Sequence, residues 1–322
     1  MSGKDSPKRT PIALFVYNRP AHVRLTLETL SRCHRLDECS LHIYCDGPRD
    51  DNAVSDVGAA REVAREWGNR LGATVVEREM NLGLARSIVG GVTDLCEKYG
   101  RVIVIEDDHA LNPSFLDYML QALDRYADEP NVYQISGYMF PVRHPPKPDA
   151  FFLPLTTTWG WATWARAWSI FNWDASDARE LLKDPVLRRK FDLDGSYRYS
   201  VMLEQRLNNE NDSWGLLFWW SVFKAGGLVL HPRQSLVWVG GFDLSGMHCR
   251  DVAWSAPQSK ESITDSVWEP LVLPDQVVPD LAAFNRIKKF LRMEQYPTSL
   301  TGRVWRKVEQ YATAMRHYRQ LG

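Results

Sequence analysis

Cysteine is scarce and odd in number. The five thiols, Cys33, Cys39, Cys45, Cys96 and Cys249, share no metal-ligand spacing, which excludes a thiolate metal site and a disulfide framework and points to a reduced, cytoplasmic protein. An excess of either charge is missing as well. The 39 Lys and Arg stand against 40 Asp and Glu, a formal net charge of -1, so the chain as a whole is not drawn to nucleic acid. No basic motif interleaved with aromatics supplies that attraction locally. Long apolar runs are absent: the richest stretch, Trp214 to Phe223, falls well short of the roughly 20 apolar residues that span a bilayer. The polar, basic N-terminus also lacks the apolar segment of a signal peptide. Neither internal repeats nor low-complexity segments occur.

What remains is an ordinary globular composition. With 322 residues, 44% hydrophobic and 25% charged, the chain can bury a sizeable core in one large domain or two intimate ones. Residues 1–10 read as a loose terminus. From Pro11 onward, short apolar runs alternate with helical patterns: Ile12 to Tyr17 before a helix through Leu25, Leu27 and Leu30; Leu41 to Tyr44 before a helix over Gly58 to Leu71. Thr74 to Glu77 then precedes a helix ending near Tyr99, and Val102 to Ile105 precedes Asn112-Pro113, which predicts a helix over 113–126 with Asn as its cap and Pro in its first position. Strand Val132 to Ser136 follows. This period predicts an α/β fold with a mainly parallel sheet and helices on both faces.

The acids cluster where such sheets bind ligands, beyond the carboxyl ends of the strands. Arg101-Val-Ile-Val-Ile-Glu-Asp-Asp108 is a doubly buried strand that stops in three consecutive carboxylates. Mutual repulsion calls for a cation there, either a divalent metal carrying a phosphorylated ligand or, in the plainer reading, nothing more than a solvated strand end. Asn18, Arg19 and Asp46 sit at the tips of the two preceding strands.

From Phe151 the character changes. Thr156 to Trp168 carries Trp159, Trp161, Trp164 and Trp168, and Trp173, Trp214, Trp219 and Trp220 follow. Indole faces suit sugar rings, yet the same density suits an aromatic core, and both readings stand for Trp159 and Trp161 beside Gly160. Asp212 closes a polar loop before a helix and either caps that helix or serves chemistry. Gly240 to Cys249 is a glycine-rich loop containing His248. The tail after Asp280 is basic, with Arg286, Lys288, Lys289 and Arg292 among its cations, and suits either an anionic membrane surface or an arm packed on its own domain.

Taken in order, these segments resemble bacterial nucleotide-sugar-dependent glycosyltransferases of the GT-A (Rossmann-like) fold and, more distantly, the eukaryotic protein N-acetylglucosaminyltransferase I. The likeness rests on Phe15-Val-Tyr-Asn-Arg-Pro20, Tyr44-Cys-Asp-Gly47, Asn81-Leu-Gly83, Glu106-Asp-Asp108, Ser136-Gly137, Thr158 to Trp164, Asp212-Ser-Trp214 and Gly241 to His248. It covers residues 11–250, divided into a nucleotide-sugar half (11–137) and an acceptor half (138–250), with 251–322 as a linker and basic helical tail outside it.

The resemblance implies an inverting, metal-dependent transfer from a nucleotide-sugar donor, a UDP-sugar, to a glycan or lipid-linked acceptor in bacterial polysaccharide or lipopolysaccharide synthesis. Such an enzyme would work in the cytoplasm or peripherally at the inner face of the plasma membrane. By position, Asp108 and His248 would hold Mn²⁺ or Mg²⁺, and Asp212 would be the catalytic base. Asn18, Arg19, Asp46, Asn81, Arg86, Glu106 and Asp107 would face the nucleotide, and Trp159, Gly160, Trp161 and Trp214 the acceptor or sugar. The segment from Met139 to Pro148 departs from the eukaryotic enzyme, so an N-glycan acceptor is not expected. Two other classes compete. A sugar nucleotidyltransferase needs a glycine-rich basic loop where Asn18-Arg19-Pro20 stands, and a non-catalytic binding module has no use for a separate candidate base.

Overall fold

A computed structural model describes residues 9–142, 148–240, 259–266 and 271–295. The first part alternates strictly: β1 (Thr10–Val16), α1 (Pro20–Leu30), β2 (Cys39–Cys45), α2 (Val54–Leu71), β3 (Thr74–Glu77), α3 (Leu84–Tyr99) and β4 (Arg101–Glu106). The chain continues through β5 (His109–Leu111), α4 (Phe115–Arg125), β6 (Val132–Ser136), β7 (Ala150–Leu153) and β8 (Trp161–Trp164). A helical group follows: α5 (Ala165–Trp168), α6 (Ala178–Lys183), α7 (Pro185–Phe191), α8 (Tyr199–Leu207) and α9 (Trp214–Lys224). Then come β9 (Leu228–Pro232), β10 (Val237–Val239), α10 (Lys260–Thr264) and α11 (Leu281–Gln295).

Eight strands form one sheet in the order β3-β2-β1-β4-β8-β6-β9-β7, while β5 and β10 pair as a small antiparallel ribbon. Each sheet strand reached through a helix runs parallel to β1, whereas β7 and β8, reached without one among the described residues, run the other way. A helical crossover returns the chain to its starting edge and so preserves strand direction. The mainly parallel α/β sheet that the sequence predicts is present, and the carboxyl ends of β1, β2 and β4 open on one edge.

Alternation along the strands explains the two layers. Ile12, Leu14 and Val16 enter the core on the α1, α2 and α4 side, and Ala13 and Phe15 enter the one on the α3 side. α3 packs through Ile88, Val92 and Leu95, spaced for one helical face, and ends at Gly100 in the left-handed conformation. Most of the tryptophans belong to this interior. Trp161 is fully buried and lies 5.4 Å from Trp214 and 5.8 Å from Trp168 between ring centroids, so this group packs α9 onto the sheet.

One local expectation changes, and one open alternative is decided for the described residues. Asn112 does not start the fourth helix, which begins at Phe115. Its carboxamide accepts from the Ser114 N–H and donates to the carbonyls of Ile263 and Ser266, so it joins α10 to this corner instead. The described part of the basic tail, α11, packs on its own domain: Ala283, Ile287 and Leu291 are fully buried in the main core, and Lys288 reaches Asp194 at 2.7 Å.

A buried histidine gives the fold a pH dependence. His231 lies between the carbonyls of Leu155 (2.8 Å) and Tyr138 (3.4 Å), and burial pushes its imidazole down from 6.5 to about 4. Between those values the unfolded chain takes up the proton and the native one does not, so stability falls as the pH drops from about 6.5 toward 4, by on the order of 3 kcal/mol for this residue. Thermal midpoints across that range should show the loss, and a smaller one in His231→Gln.

Candidate active site

The acidic triplet already has its cation. Arg19 begins the turn into α1, and its Nη2 donates to Asp107 Oδ1 at 2.7 Å and to Asp108 Oδ2 at 3.0 Å. The backbone N–H of Tyr17 takes the other Asp107 oxygen at 3.1 Å, and the Thr26 hydroxyl donates to the Asp107 carbonyl at 2.8 Å. Burial would lower the Arg19 guanidinium, but the two carboxylates more than reverse this and hold it charged. Burial raises Asp107 above the usual carboxylate range even beside Arg19. Glu106 keeps a partly exposed edge. Desolvation, then Asp108 and Asp107, push it well above that range.

His109, directly after the triplet, was not singled out by the sequence reading. Its Nδ1 accepts the Glu106 backbone N–H at 3.0 Å, which leaves the proton on Nε2, 3.6 Å from Asp108 Oδ1 and without a hydrogen-bond partner among the described residues. Burial pushes this imidazole down to about 4. The Gly240 N–H donates to the Asp108 carbonyl at 2.7 Å, completing the frame around the triplet.

Held this way, the described residues do not make a divalent-metal site. Both oxygens of Asp107 and one of Asp108 are engaged, and among the described residues no three His, Cys, Asp or Glu side chains are grouped to hold an ion. His248 lies outside the described residues.

Asp46, at the end of β2, accepts from the backbone N–H groups of Gly47, Leu82 and Gly83 at 2.9–3.2 Å. Asn81 closes the loop by donating to the Gly47 carbonyl at 2.8 Å. No side chain fits at Gly47, where an added Cβ would stand 2.4 Å from the Met80 carbonyl carbon. The loop before α3 is thereby pinned to the sheet, and Gly83, at φ 76°, turns the chain into the helix. Asn18 is half-buried in the turn before α1.

The pinned loop forms one wall of a cleft of about 550 Å³. Leu82, Gly83, Ala85 and Arg86 line this wall, and Trp173, Arg206 and residues 209–212 line the other, so Asp212 faces the N-terminal end of α3. Asp212 is exposed and does not cap α9. That role belongs to Ser213, whose hydroxyl accepts the Leu216 N–H. Arg86 is also exposed, and no described residue pairs with it. The aromatic candidates lie elsewhere. Trp161 and Trp214 face each other in the core, Trp159 packs edge-on against Tyr138 at 4.7 Å, and Gly160 meets Val237 where a Cβ would stand 2.6 Å away. Arg206 and Trp173 are additions of the structure, since nothing in their spacing places them opposite Arg86.

No family model and no curated protein matches this sequence. Solved structures similar to it include TarS residues 1–349 from S. aureus, at a TM-score of 0.43 and 11% identity over 73% of this chain and 61% of that one. Glucosyl-3-phosphoglycerate synthase from Mycobacterium tuberculosis, crystallised with Mn²⁺, UDP and glucosyl-3-phosphoglycerate, matches at 0.32 and 13% over 51% of this chain and 58% of that one. Mouse xyloside xylosyltransferase 1 in its apo form matches at 0.35 and 12% over 68% and 82%. The chain thus spans about three fifths of the length of the first two. At these scores the likeness carries nothing about the site.

Proposed function

We propose that the protein is a glycosyltransferase that moves a sugar from a nucleoside-diphosphate donor to the hydroxyl of a glycan acceptor. One observation carries this reading: a single cleft sets an exposed carboxylate, Asp212, against an arginine at a helix N-terminus, Arg86, that pairs with no described residue. Departure of a nucleoside diphosphate develops negative charge. Arg86 and the first N–H groups of α3, which have no intrahelical acceptor, are suited to receive it. Across the cleft the attacking hydroxyl must lose a proton, and Asp212 is the carboxylate at hand. A single displacement with base and leaving group on opposite sides inverts the anomeric carbon.

Dependence on Mn²⁺ or Mg²⁺ is implied by the resemblance, but the pairing of Arg19 with Asp107 and Asp108 gives it no support, and no step here runs through a metal. A role in bacterial polysaccharide or lipopolysaccharide synthesis, and a peripheral position at a membrane, also rest on the resemblance. Among the described residues no helix is long and apolar enough to cross a membrane.

Calorimetric titration of uridine diphosphate, with and without Mn²⁺, into the unaltered protein and into Arg86→Ala tests the donor side. Binding that weakens about tenfold or more in the variant is expected, in line with loss of a charge-assisted contact. Equal binding by both proteins would remove Arg86 from the site, and no binding by either would sink the reading.

A further inference from the structure

The cleft does not end at Asp212. A smaller hollow of about 290 Å³ adjoins it and shares Trp173, Arg206 and Asn209 with it, while Asp174, Ser176 and Arg179 are among the residues that line the hollow alone. Arg206 is the joint between the two. Its guanidinium carbon lies 5.4 Å from the Trp173 ring centroid, no described residue forms an ion pair or hydrogen bond with its side chain, and its Nε–H is buried without a partner. A buried Nε–H with no acceptor is unfavourable until one arrives, and the planar fork of the half-buried guanidinium matches carboxylate and phosphate oxygens. Trp173 is 38% exposed, which leaves part of its indole as a flat apolar surface beside that fork.

We infer that Arg206 and Trp173 form the seat for an anionic substituent, a carboxylate or a phosphate monoester, on the acceptor sugar. This rests on the glycosyltransferase reading for the word acceptor: Arg206 and Trp173 stand on the wall that carries Asp212, opposite the α3 wall that is suited to the donor diphosphate. The acids of the cleft sharpen the assignment. Glu210 and Asp212 repel an anion near the base, whereas the hollow sets Arg179 and Arg206 against one acid, Asp174, so the negative group belongs at the Arg206 end and the attacking hydroxyl at the Asp212 end. An acceptor so held enters in one orientation. A neutral sugar would offer the Arg206 fork only uncharged hydroxyl acceptors, which make the weaker hydrogen bond.

Three probes differing in one substituent test this by equilibrium titration: methyl β-glucuronide, glucose 6-phosphate and methyl β-glucoside. The unaltered protein should bind at least one charged sugar about tenfold or more tightly than the neutral one, and which of the two does so separates carboxylate from phosphate as the source of the charge. Arg206→Gln should erase that preference to within roughly twofold at an unchanged thermal midpoint. Arg206→Lys, which keeps the charge and loses the fork, should retain more affinity for the phosphate than for the carboxylate, and this holds even if the Gln variant fails to fold. Equal affinity for charged and neutral sugars, or a preference that survives in Arg206→Gln, overturns the seat. Uridine diphosphate binding is read in the same variants. If it weakens in Arg206→Gln, the residue belongs to the donor side and the proposal falls. If the unaltered protein does not bind it at all, the glycosyltransferase reading fails, and the seat is judged on the sugar series alone.

Discussion

Replacing Asp212 with Asn is expected to slow sugar transfer by about 10²–10⁴-fold, the range that a positioned general base contributes. Uridine diphosphate affinity and thermal midpoint should stay where they were. The midpoint expectation follows from the local structure. Asp212 is exposed, and the helix it precedes is capped by Ser213, so the amide removes no cap and leaves a side chain of the same shape in place. The affinity expectation follows from the cleft, where Arg86 and Asp212 stand on different walls. Single-turnover rates with a nucleotide-sugar donor separate the outcomes. A variant that transfers at the parental rate has its base elsewhere, whereas one that loses donor binding together with rate places Asp212 on the nucleotide.

The largest loss of stability is expected from Arg19→Met. The substitution leaves Asp107 and Asp108, with side chains 6% and 13% exposed, beside Glu106 with no counter-charge from another described Lys or Arg. Removing one partner of a buried ion pair destabilises by about 3–5 kcal/mol, because the remaining charge is desolvated and unpaired. Adding Asp107→Asn to Arg19→Met should recover part of this, since it removes the stranded charge, and a double-mutant cycle in denaturant reads the coupling directly. Additive losses would show that the pair is not coupled.

The pH dependence of the Arg19 variant carries a sign. Burial raises Asp107 above its ordinary range with Arg19 present, and loss of the guanidinium raises it further. A carboxyl whose native value lies above its unfolded value binds more protons in the native state, so stability is lost as the pH rises through that window and regained as it falls. The deficit of Arg19→Met relative to the parent should therefore narrow on going from neutral to mildly acidic buffer. A deficit that widens would mean that the triplet is not the source of the loss.

The sequence was most legible where a local pattern and a local structure coincide. Runs such as Ile12 to Val16 and Val102 to Ile105 are β-branched or apolar over the length of a strand and are followed by turn residues, and both lie in the sheet. That the triplet demanded a cation was also readable. Which cation was not, because Arg19 lies 88 residues before Asp107 and only the parallel pairing of β1 with β4 brings them together. The tryptophans show the same limit. Trp159 and Trp161 have the same chemistry and neighbouring positions, and burial, set by alternation along β8 and the approach of α9, decides that Trp161 belongs to the core. In the tail, the spacing of Ala283, Ile287 and Leu291 was a legible apolar stripe beneath a more conspicuous row of cations. The opposition of Arg206 to Arg86 left no trace in the sequence, since it depends on where α8 ends.

The stripe on α11 has a consequence for how the chain can be divided. The domain that carries the cleft, ending near residue 250 by motif, shares its interior with a helix that begins at Leu281. A chain stopped between the two would present water with a furrow vacated by Ala283, Ile287 and Leu291, alongside Phe140, against which Phe290 packs at 6.1 Å. Graft boundaries, fusion partners and chimeras with other sheets of this kind therefore belong beyond residue 295, and the segment that looked most like an appendage is part of the smallest inheritable unit.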